Sequence, residues 1–543
     1  MARLCLSALF VLLVGVSGCR ILQRESTIKD ASFSSLNWTD ERRSRNDFLT
    51  KYLAEHADAA FAFRFKPVGS DGVPAMLLGL LGEIAPESWS KSAASRAMGF
   101  TYEEKGSGQL PNELNLGPRF DGGPMVATFS CGSCHLGRVI DAEGHTMELV
   151  GAPNTQIDTT AYRYNLAKTL VEDRVNAAAI RSLLRQKPVG WFYGEGHEEA
   201  EARDRELILA NPEGFLSAIR SSVKAREDLI NRALGSHTYR EAQHLLRGGV
   251  PGSLDAFGFT VLSLVVGPKL KSHQDTGLTS EDLAVLPSAP PMVDIMSVWR
   301  QSGKKYSQWD GTIENQFIRN IGAELGVIRD PSKVDRYNAE LATTFISNLP
   351  SPTYPFAVDG VKATRGAQIY GNVCERCHAN NAFVSIETLG VDPNRARGLN
   401  QGARIGLIAG LRDACGLANE TRCQVSDNEV LLDRSSSLGY QAPSLSGIWA
   451  RSPYLHNGSV PTLFHLLVPS TRPPEFVRGD LHFDQEKVGF IADARAVTGT
   501  KINTTWPGFS NIGHDNIEVF FGGINFEKDV NAREDLIEYL KTL

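Results

Sequence analysis

The sequence predicts a mainly α-helical protein with two domains in series, long loops in both, and a helical insertion in the first. Apolar residues recur at helical spacing between residues 159 and 247, with Arg and Glu residues on the opposite face. Strand patterns are sparse along the whole chain. The pattern Cys-x-x-Cys-His occurs twice, starting at Cys131 and at Cys374, so each domain carries its own copy.

The repeated pattern is typical of covalent attachment of c-type haem. In such a site two thiols form thioethers with one porphyrin, and the histidine that follows becomes the proximal iron ligand. The predicted residues are Cys131, Cys134 and His135 for haem one, and Cys374, Cys377 and His378 for haem two. A pair of zinc or redox sites is the alternative, but a histidine occupies the haem position both times. We therefore predict two cytochrome c-like haem domains that bind two haem c groups.

The domain limits follow from the order of the predicted elements. Residues 1–18 are a predicted lipoprotein signal peptide, 19–60 a tether with a first helix, and 61–349 the N-terminal haem domain with its insertion. Residues 350–358 contain three prolines and are predicted to be a stiff linker. The C-terminal haem domain, 359–543, begins with a helix that leads into its motif.

Composition and cysteine content limit the class of protein. The chain has 543 residues, of which 42% are hydrophobic and 22% charged, as in an ordinary globular protein. A net charge of −6 gives no reason to expect a nucleic-acid partner. Cys415 and Cys423, eight residues apart, are predicted to form a disulfide, with a free pair as the alternative. Disulfide formation and c-type haem attachment both indicate a compartment outside the cytoplasm.

The N-terminus resembles a bacterial lipoprotein signal. Arg3 precedes an apolar stretch, Leu4 to Val16, that is too short to cross a membrane. The residues up to Cys19 resemble a lipobox, in which that cysteine is acylated; an ordinary secretory signal cut near Gly18 is the alternative. Arg20 favours the outer membrane of a Gram-negative bacterium, by resemblance to sorted lipoproteins. We predict a periplasmic protein that contacts the membrane only through its lipid anchor.

Residues 110–543 resemble the bacterial di-haem cytochrome c peroxidase superfamily, and in particular its rubber-oxygenase-like branch. Besides the haem motifs, Trp309-Asp-Gly resembles the element whose tryptophan lies between the haems. Ser452 to Leu463 resembles the segment that lines the C-terminal haem, and Leu349 to Phe356 resembles the linker of the rubber-oxygenase-like branch. The stretch from Asp158 to Val298 is longer than in the standard peroxidases and matches the longer branch better.

The resemblance implies that haem one is the reaction centre and that haem two passes electrons. We predict that haem one reduces hydrogen peroxide with electrons that a small periplasmic donor protein delivers through haem two. One alternative is a dioxygenase of the rubber-oxygenase type, which uses dioxygen on a hydrophobic substrate. The other is a pure electron carrier in which both haems are closed by a second ligand.

The second ligand of haem two is predicted to be a histidine. All seven methionines lie at or before Met296, so the C-terminal domain offers none. His514 resembles the histidine that closes the second haem in the rubber-oxygenase-like branch, and His456 is the fallback. For haem one, His145 is the nearest downstream histidine, but the family's surrounding residues are missing there. We therefore predict a five-coordinate haem one.

The resemblance also implies roles for residues near haem one. Peroxide cleavage needs a general acid-base close to the iron, and Glu324 is the predicted one, where a rubber oxygenase has phenylalanine. A solvated helix glutamate is the alternative, and Asp255 and Glu314 are further candidates.

Other residues are candidates for electron transfer, for the pocket wall and for a cation. Trp309 is predicted to carry electrons between the haems, with simple packing as the alternative. Phe257 and Phe259 are candidates for the pocket wall. A calcium ion lies between the haems in relatives, but only Pro453 matches part of that element.

Overall fold

The computed structural model describes residues 40–70, 72–102, 108–117, 122–235, 249–254, 260–261, 266, 279–287, 289–304, 306–328, 330–379, 381–416, 423–426 and 438–543. The predicted signal peptide, the predicted lipidation site Cys19, and the candidates Asp255, Phe257 and Phe259 lie outside these residues. Within the described ranges, no helix has both the length and the apolar character needed to cross a membrane.

The chain is mainly α-helical, as predicted. Its described α-helices are α1 Asp40–Glu55, α2 Ala57–Phe65, α3 Ala75–Ile84, α4 Pro86–Trp89, α5 Lys91–Met98, α6 Cys131–His135, α7 Thr159–Leu170, α8 Ala177–Gln186, α9 Glu198–Ala210, α10 Pro212–Gly235, α11 Ser280–Leu283, α12 Gln316–Val327, α13 Arg336–Asn348, α14 Gly360–Val373, α15 Glu375–His378, α16 Ile386–Leu389, α17 Asn394–Arg397, α18 Gln401–Cys415, α19 Leu463–Leu467, α20 Ile517–Phe521 and α21 Val530–Lys541.

The strands are short and all pair antiparallel. They are β1 Val73–Pro74, β2 Leu114–Gly117, β3 Val126–Phe129, β4 Leu136–Ile140, β5 Thr146–Val150, β6 Ser253–Leu254, β7 Val293–Asp294, β8 Phe383–Ser385, β9 Gly439–Gln441, β10 Glu475–Arg478, β11 Phe483–Asp484, β12 Gly489–Phe490 and β13 Thr500–Asn503. β3 lies between β1 and β2, and the other pairs are β4–β5, β6–β7, β8–β9, β10–β13 and β11–β12.

Helices α7 to α10 form the helical insertion that the sequence predicts. The insertion begins at Asp158, whose side chain accepts a hydrogen bond from Ala161 N at 2.8 Å and so caps α7. Ile180 of α8 and Ile208 of α9 share a buried cluster with Leu77 of α3. The insertion therefore packs on the N-terminal helices and shares one apolar core with them.

One hydrophobic cluster joins the two predicted domains. It contains Phe63 of α2 and Leu540 of α21, together with Tyr354 of the predicted linker. Trp449, also buried there, donates from its indole nitrogen to the Pro352 carbonyl oxygen at 3.1 Å. The predicted linker is therefore a packed part of the core, and the domain limits remain a prediction.

Local hydrogen bonds and strand pairing set where α13 begins and how the chain enters the first motif. Helix α13 begins at Arg336, because the Asp335 carboxylate accepts a hydrogen bond from Asn338 N at 3.0 Å and caps the helix there. The stretch before the first motif contains β2. Pairing of β2 with β3 brings the chain to the first haem motif in an extended conformation.

Candidate functional site

The first haem motif forms the short helix α6. Ser130 caps it, since its side chain and that of Ser133 each accept a hydrogen bond from the other's backbone N–H. A Cβ at Gly132 would lie 2.9 Å from the Cα of Arg64, so only glycine lets α6 lie directly against α2. The Asn154 side chain donates a hydrogen bond to the Ser133 carbonyl oxygen at 2.9 Å, and this contact also holds the motif in place.

His135 is oriented as a metal ligand would be. Its Nδ1 lies 2.9 Å from the Met296 carbonyl oxygen. A carbonyl oxygen only accepts, so Nδ1 carries the proton and the Nε2 lone pair is free. Burial, followed by the positive charge of Arg319, lowers the pKa of His135 to about 3, which keeps the ring neutral. Neutral imidazole is the form that binds iron.

The second motif repeats this arrangement. Helix α14 leads into Cys374, and α15 ends at His378, as in the predicted helix-then-motif order. His378 Nδ1 lies 2.7 Å from the Pro443 carbonyl oxygen, so its Nε2 is free as well. Burial lowers the pKa of His378. At both motifs a backbone carbonyl oxygen therefore accepts a hydrogen bond from the histidine Nδ1, an arrangement that metal-bound histidines commonly have.

The chemistry of the two motifs fits haem better than zinc. The four motif cysteines are unpaired and half-buried, and burial raises the pKa of Cys131, Cys134 and Cys374. A zinc site would bring its ligand atoms close around one point. Among the described residues, neither motif forms such a group of three ligand atoms. Free thiols and an imidazole whose Nε2 is free, in the same motif, match the needs of covalent haem.

A cavity of about 580 Å³ adjoins the first motif. Cys134, His135 and Trp309 line it, and the insertion closes one side through Ile219 and neighbouring residues of α10. Its wall is mostly apolar. The structure therefore provides room for a haem beside His135 and a largely hydrophobic surface around it.

The two carboxylates among the described residues of the cavity wall are paired with arginines. Asp294 is paired with Arg478 at 2.5 Å, and Glu227 is paired with Arg163. Burial nevertheless raises the pKa of Asp294 to about 6.

Glu324 does not line this cavity. Helix α12 turns Arg319, Ala323 and Gly326 toward the cavity, whereas Glu324 is buried close enough to Cys131 for its charge to raise the pKa of that thiol. Both carboxylate oxygens of Glu324 lack a hydrogen-bond partner, and burial raises its pKa well above the ordinary value. The glutamate is thus not a solvated surface residue, and its acid-base role remains a prediction without support from the cavity geometry.

Trp309 lies between the two motifs. It lines the large cavity beside His135 and also a small cavity of about 10 Å³, which Pro443, the partner of His378, lines as well. Its indole nitrogen donates to the Asp294 carbonyl oxygen at 3.1 Å. Trp309 therefore lines a cavity beside each motif, and its role in electron transfer remains a prediction.

His514 approaches the second motif. The charge of His378 lowers the pKa of His514, which burial brings to about 3, so the two rings are near each other. His514 Nδ1 is buried and has no hydrogen-bond partner, and the same is true of His456 Nε2. His456 stacks on Tyr440 with ring centroids 4.2 Å apart, and burial and Arg395 lower its pKa, with no contribution from His378. The electrostatic interaction with His378 therefore favours His514 over His456, and the ligand role of His514 remains a prediction.

The remaining candidates fall outside both sites. His145 lies exposed in the turn between β4 and β5, where its Nδ1 is 3.1 Å from Asp141. With Glu143, these residues form the group of three possible cation ligands that the described side chains contain, and none of them lines either cavity. Glu314 is exposed.

Cys415 and Cys423 are joined by a disulfide, with Cα atoms 5.2 Å apart. The pair lies at the end of α18, in a buried cluster with α12.

Three cations near the histidines were not anticipated from the sequence. Arg319 lines both cavities, Lys304 lines the small one, and Arg451 lowers the pKa of His378. Lys304 and Arg451 lie outside the α-helices and belong to no recognisable sequence motif. From the sequence alone, each would be interpreted as an ordinary charged residue of a loop. Only the fold brings them together.

Comparison with known proteins supports the haem assignment. Residues 439–477 match the family described as RoxA-like, cytochrome c-like. This match supports a cytochrome c family of the rubber-oxygenase type, and with it haem c and a haem-based function. The peroxidase superfamily is not confirmed.

Two proteins of Sinorhizobium fredii (strain NBRC 101917 / NGR234) are similar to larger parts of the chain. The uncharacterized protein y4iM is 31% identical over 421 residues, which are 68% of this chain and 97% of that protein. The uncharacterized protein y4iJ is 27% identical over 336 residues, which are 48% of this chain and 56% of that protein. The chain thus spans nearly all of y4iM and about half of y4iJ.

Proposed function

We propose that this chain, which belongs to the family of the Sinorhizobium fredii protein y4iM, is a di-haem c-type oxidoreductase whose reactive haem is attached at Cys131 and Cys134. The observation that carries the proposal is the repeated histidine geometry, in which a backbone carbonyl fixes Nδ1 and leaves Nε2 free at both motifs. A haem with an open coordination position supplies binding and activation of dioxygen or peroxide.

The cavity favours oxidation of an apolar substrate with dioxygen. Its described walls offer apolar side chains such as Leu254 and Leu411, and both carboxylates among the described lining residues are held in ion pairs. Such walls bind a hydrophobic molecule and exclude water, and the described lining offers peroxide cleavage no carboxylate outside an ion pair.

Peroxide reduction is the second candidate, and the position of Trp309 favours it. A residue that lines the cavities of both motifs is suited to deliver electrons from haem two. Peroxide reduction consumes electrons from a donor protein, whereas a dioxygenase places both oxygen atoms in its product and consumes none. A small periplasmic donor protein is therefore part of this candidate only.

The state of the two haems is tested by spectroscopy of the full-length protein. We expect a pyridine haemochrome assay to give two haems per chain, and carbon monoxide to change the reduced spectrum of one of them. Cys374→Ser with Cys377→Ser should leave one haem, which still binds carbon monoxide. Cys415→Ser with Cys423→Ser is the matched control and should keep two haems. Two haems that both ignore carbon monoxide would instead indicate the electron carrier.

The two candidate reactions are separated by electron and oxygen balance. We expect incubation with dioxygen and an apolar alkene to consume dioxygen without an electron donor and to place both labelled oxygen atoms in the product. If the protein instead oxidises a reduced small cytochrome only when hydrogen peroxide is added, the peroxidase is the correct candidate.

The lipid anchor at Cys19 and the periplasmic location also remain proposals, and Cys19→Ser should release the protein from membranes.

A further inference from the structure

Lys304, Arg319 and Arg451 form a group of positive charges between the two motif histidines, here called the cation cluster. Arg319 and Lys304 line the small cavity together with Pro443, the partner of His378, and Arg319 also lines the large cavity beside His135. Arg451 donates to the carbonyl oxygens of Ser444 and Ser446, which follow Pro443 in the chain, and its charge acts on Lys304 as that of Arg319 does. The cluster therefore lies between the two haem sites and within electrostatic reach of both.

None of the three cations has a carboxylate partner among the described residues. Arg319 donates to its neighbour Asn320 at 2.7 Å, and its Nε has no partner. Arg451 donates to the backbone carbonyl oxygens of Ser444 and Ser446, and its Nε has no partner either. No hydrogen bond or ion pair of the Lys304 ammonium group is observed in the described part of the chain.

Arg319 is buried, and Lys304 and Arg451 are half-buried. Two other buried arginines have a carboxylate partner. Arg478 lies 2.5 Å from Asp294, and Arg395 lies 3.0 Å from Asp310. Burying a charge without a counter-ion is costly, and three like charges close together increase that cost. The cation cluster is thus incomplete unless an anion with several negative charges binds between the two motifs.

We propose that the cation cluster binds the propionate carboxylates of both haems. This inference rests on the proposed function, since it requires haem at both motifs. Each haem brings two carboxylates, so the two haems together supply four negative charges for three cations. Arginine and lysine are the residues that bind carboxylates most readily in proteins. Arg319 and Lys304 then belong to haem one, and Arg451 belongs to haem two.

The assignment predicts how each haem responds to loss of its cation. A positive charge beside a propionate disfavours the ferric state, which carries one more positive charge than the ferrous state. Arg319→Gln should therefore shift the reduction equilibrium of haem one toward the ferric state by about tenfold, or about 59 mV for one electron. Haem two should move less. Arg451→Gln should produce the opposite pattern, and Arg319→Lys should keep most of the wild-type potential.

The measurement is a spectroelectrochemical titration of the full-length protein, with carbon monoxide used to identify haem one. Arg181→Gln, which removes an exposed arginine paired with Glu213, is the matched control and should leave both potentials unchanged. Lys304→Met is a second variant for haem one if Arg319→Gln fails to fold. Unchanged potentials in Arg451→Gln and in a folded haem-one variant, each with two haems bound, would overturn the proposal.

A free anion such as phosphate is the other source of suitable charge. If it occupied the cation cluster, the potentials of the wild-type protein would change with phosphate concentration, and the propionate assignment would be wrong. Covalently bound haem keeps its carboxylates in place, so we expect no such change. Absence of haem from the wild-type protein in the haemochrome assay would contradict the proposed function itself. The assay therefore distinguishes failure of the proposed function from failure of the propionate assignment.

Discussion

Glu324 is a buried carboxyl group with no hydrogen-bond partner, and this makes the stability of the protein depend on pH. Burial raises its folded-state pKa, so between the unfolded and folded pKa values the folded state binds more protons. Stability should therefore fall as pH rises above about 4. Glu324→Gln removes this loss, and we expect a higher Tm than wild type at pH 8 but an equal Tm at pH 4. For chains of 150–250 residues Tm moves about 2–4 °C for each kcal/mol. Glu314→Gln, at an exposed position, is the control. A difference that does not vary with pH would contradict the argument.

The same variant tests the catalytic role of Glu324. Because Glu324 does not line the cavity, we expect Glu324→Gln to leave the rate of haem oxidation by peroxide unchanged in a stopped-flow measurement. A general acid-base typically contributes ~10²–10⁴-fold. A loss of rate in that range, with both haems bound, would restore Glu324 as the acid-base and would favour the peroxidase.

His514 has a backbone φ of 59°, in the left-handed region that glycine adopts without strain. His514→Gly therefore suits the backbone while it removes the imidazole near His378. Two imidazoles give a low-spin iron, so we expect this variant to convert haem two to high spin in its electron paramagnetic resonance spectrum. His456→Ala is the comparison and should keep the low-spin signal. The reverse pattern would assign the ligand to His456.

At the scale of elements, α14 and α21 meet through a glycine. A Cβ at Gly366 would lie 1.9 Å from the Asp535 carbonyl oxygen, which is backbone and cannot move aside. We expect Gly366→Ala to lower the free energy of unfolding by roughly 1–3 kcal/mol, as overpacking does. The test is urea unfolding followed by circular dichroism.

Gly371 on the same helix is the matched control. The nearest atom to a Cβ there is the Glu375 carboxylate oxygen at 3.6 Å, an ordinary contact. Gly371→Ala should therefore raise stability by roughly 0.5–1 kcal/mol through helix propensity alone. Equal effects at Gly366 and Gly371 would mean that close packing of α14 on α21 is not the reason why Gly366 has to be glycine.

The secondary-structure elements also show how much of the fold and of the site can be predicted from the sequence alone. Periodicity predicts the insertion, and the helix expected before Cys374 is found at α14. Spacing identifies the motif residues, because their chemistry is local. The cation cluster could not be predicted, since its members are far apart in the chain and become neighbours only through tertiary packing. Glu324 illustrates a related limit: family position indicates the helix but not which of its faces turns to the cavity, so its acid-base role remains a prediction.

At the scale of the whole molecule, the shared cluster makes the two predicted domains depend on each other. Phe63 of α2, Tyr354 of the predicted linker and Leu540 of α21 are buried in it together. We expect one cooperative thermal transition, with the absorbance of both haems and the helical signal changing together. Two separate calorimetric transitions would instead indicate independent domains.

The shared cluster also determines the order in which parts of the chain can fold during synthesis. A protein is made from its N-terminus, so the first motif and the β4–β5 hairpin emerge long before α21. Val139 and Met147 of that hairpin share their cluster with Leu481, whose carbonyl oxygen accepts a hydrogen bond from Ile140 N at 2.7 Å, so their burial has to wait for that residue. The thiols of the first motif thus stay reachable while haem is attached. A chain that ends before Leu481 should keep the hairpin open to protease, and a protected hairpin in that truncation would refute this timing.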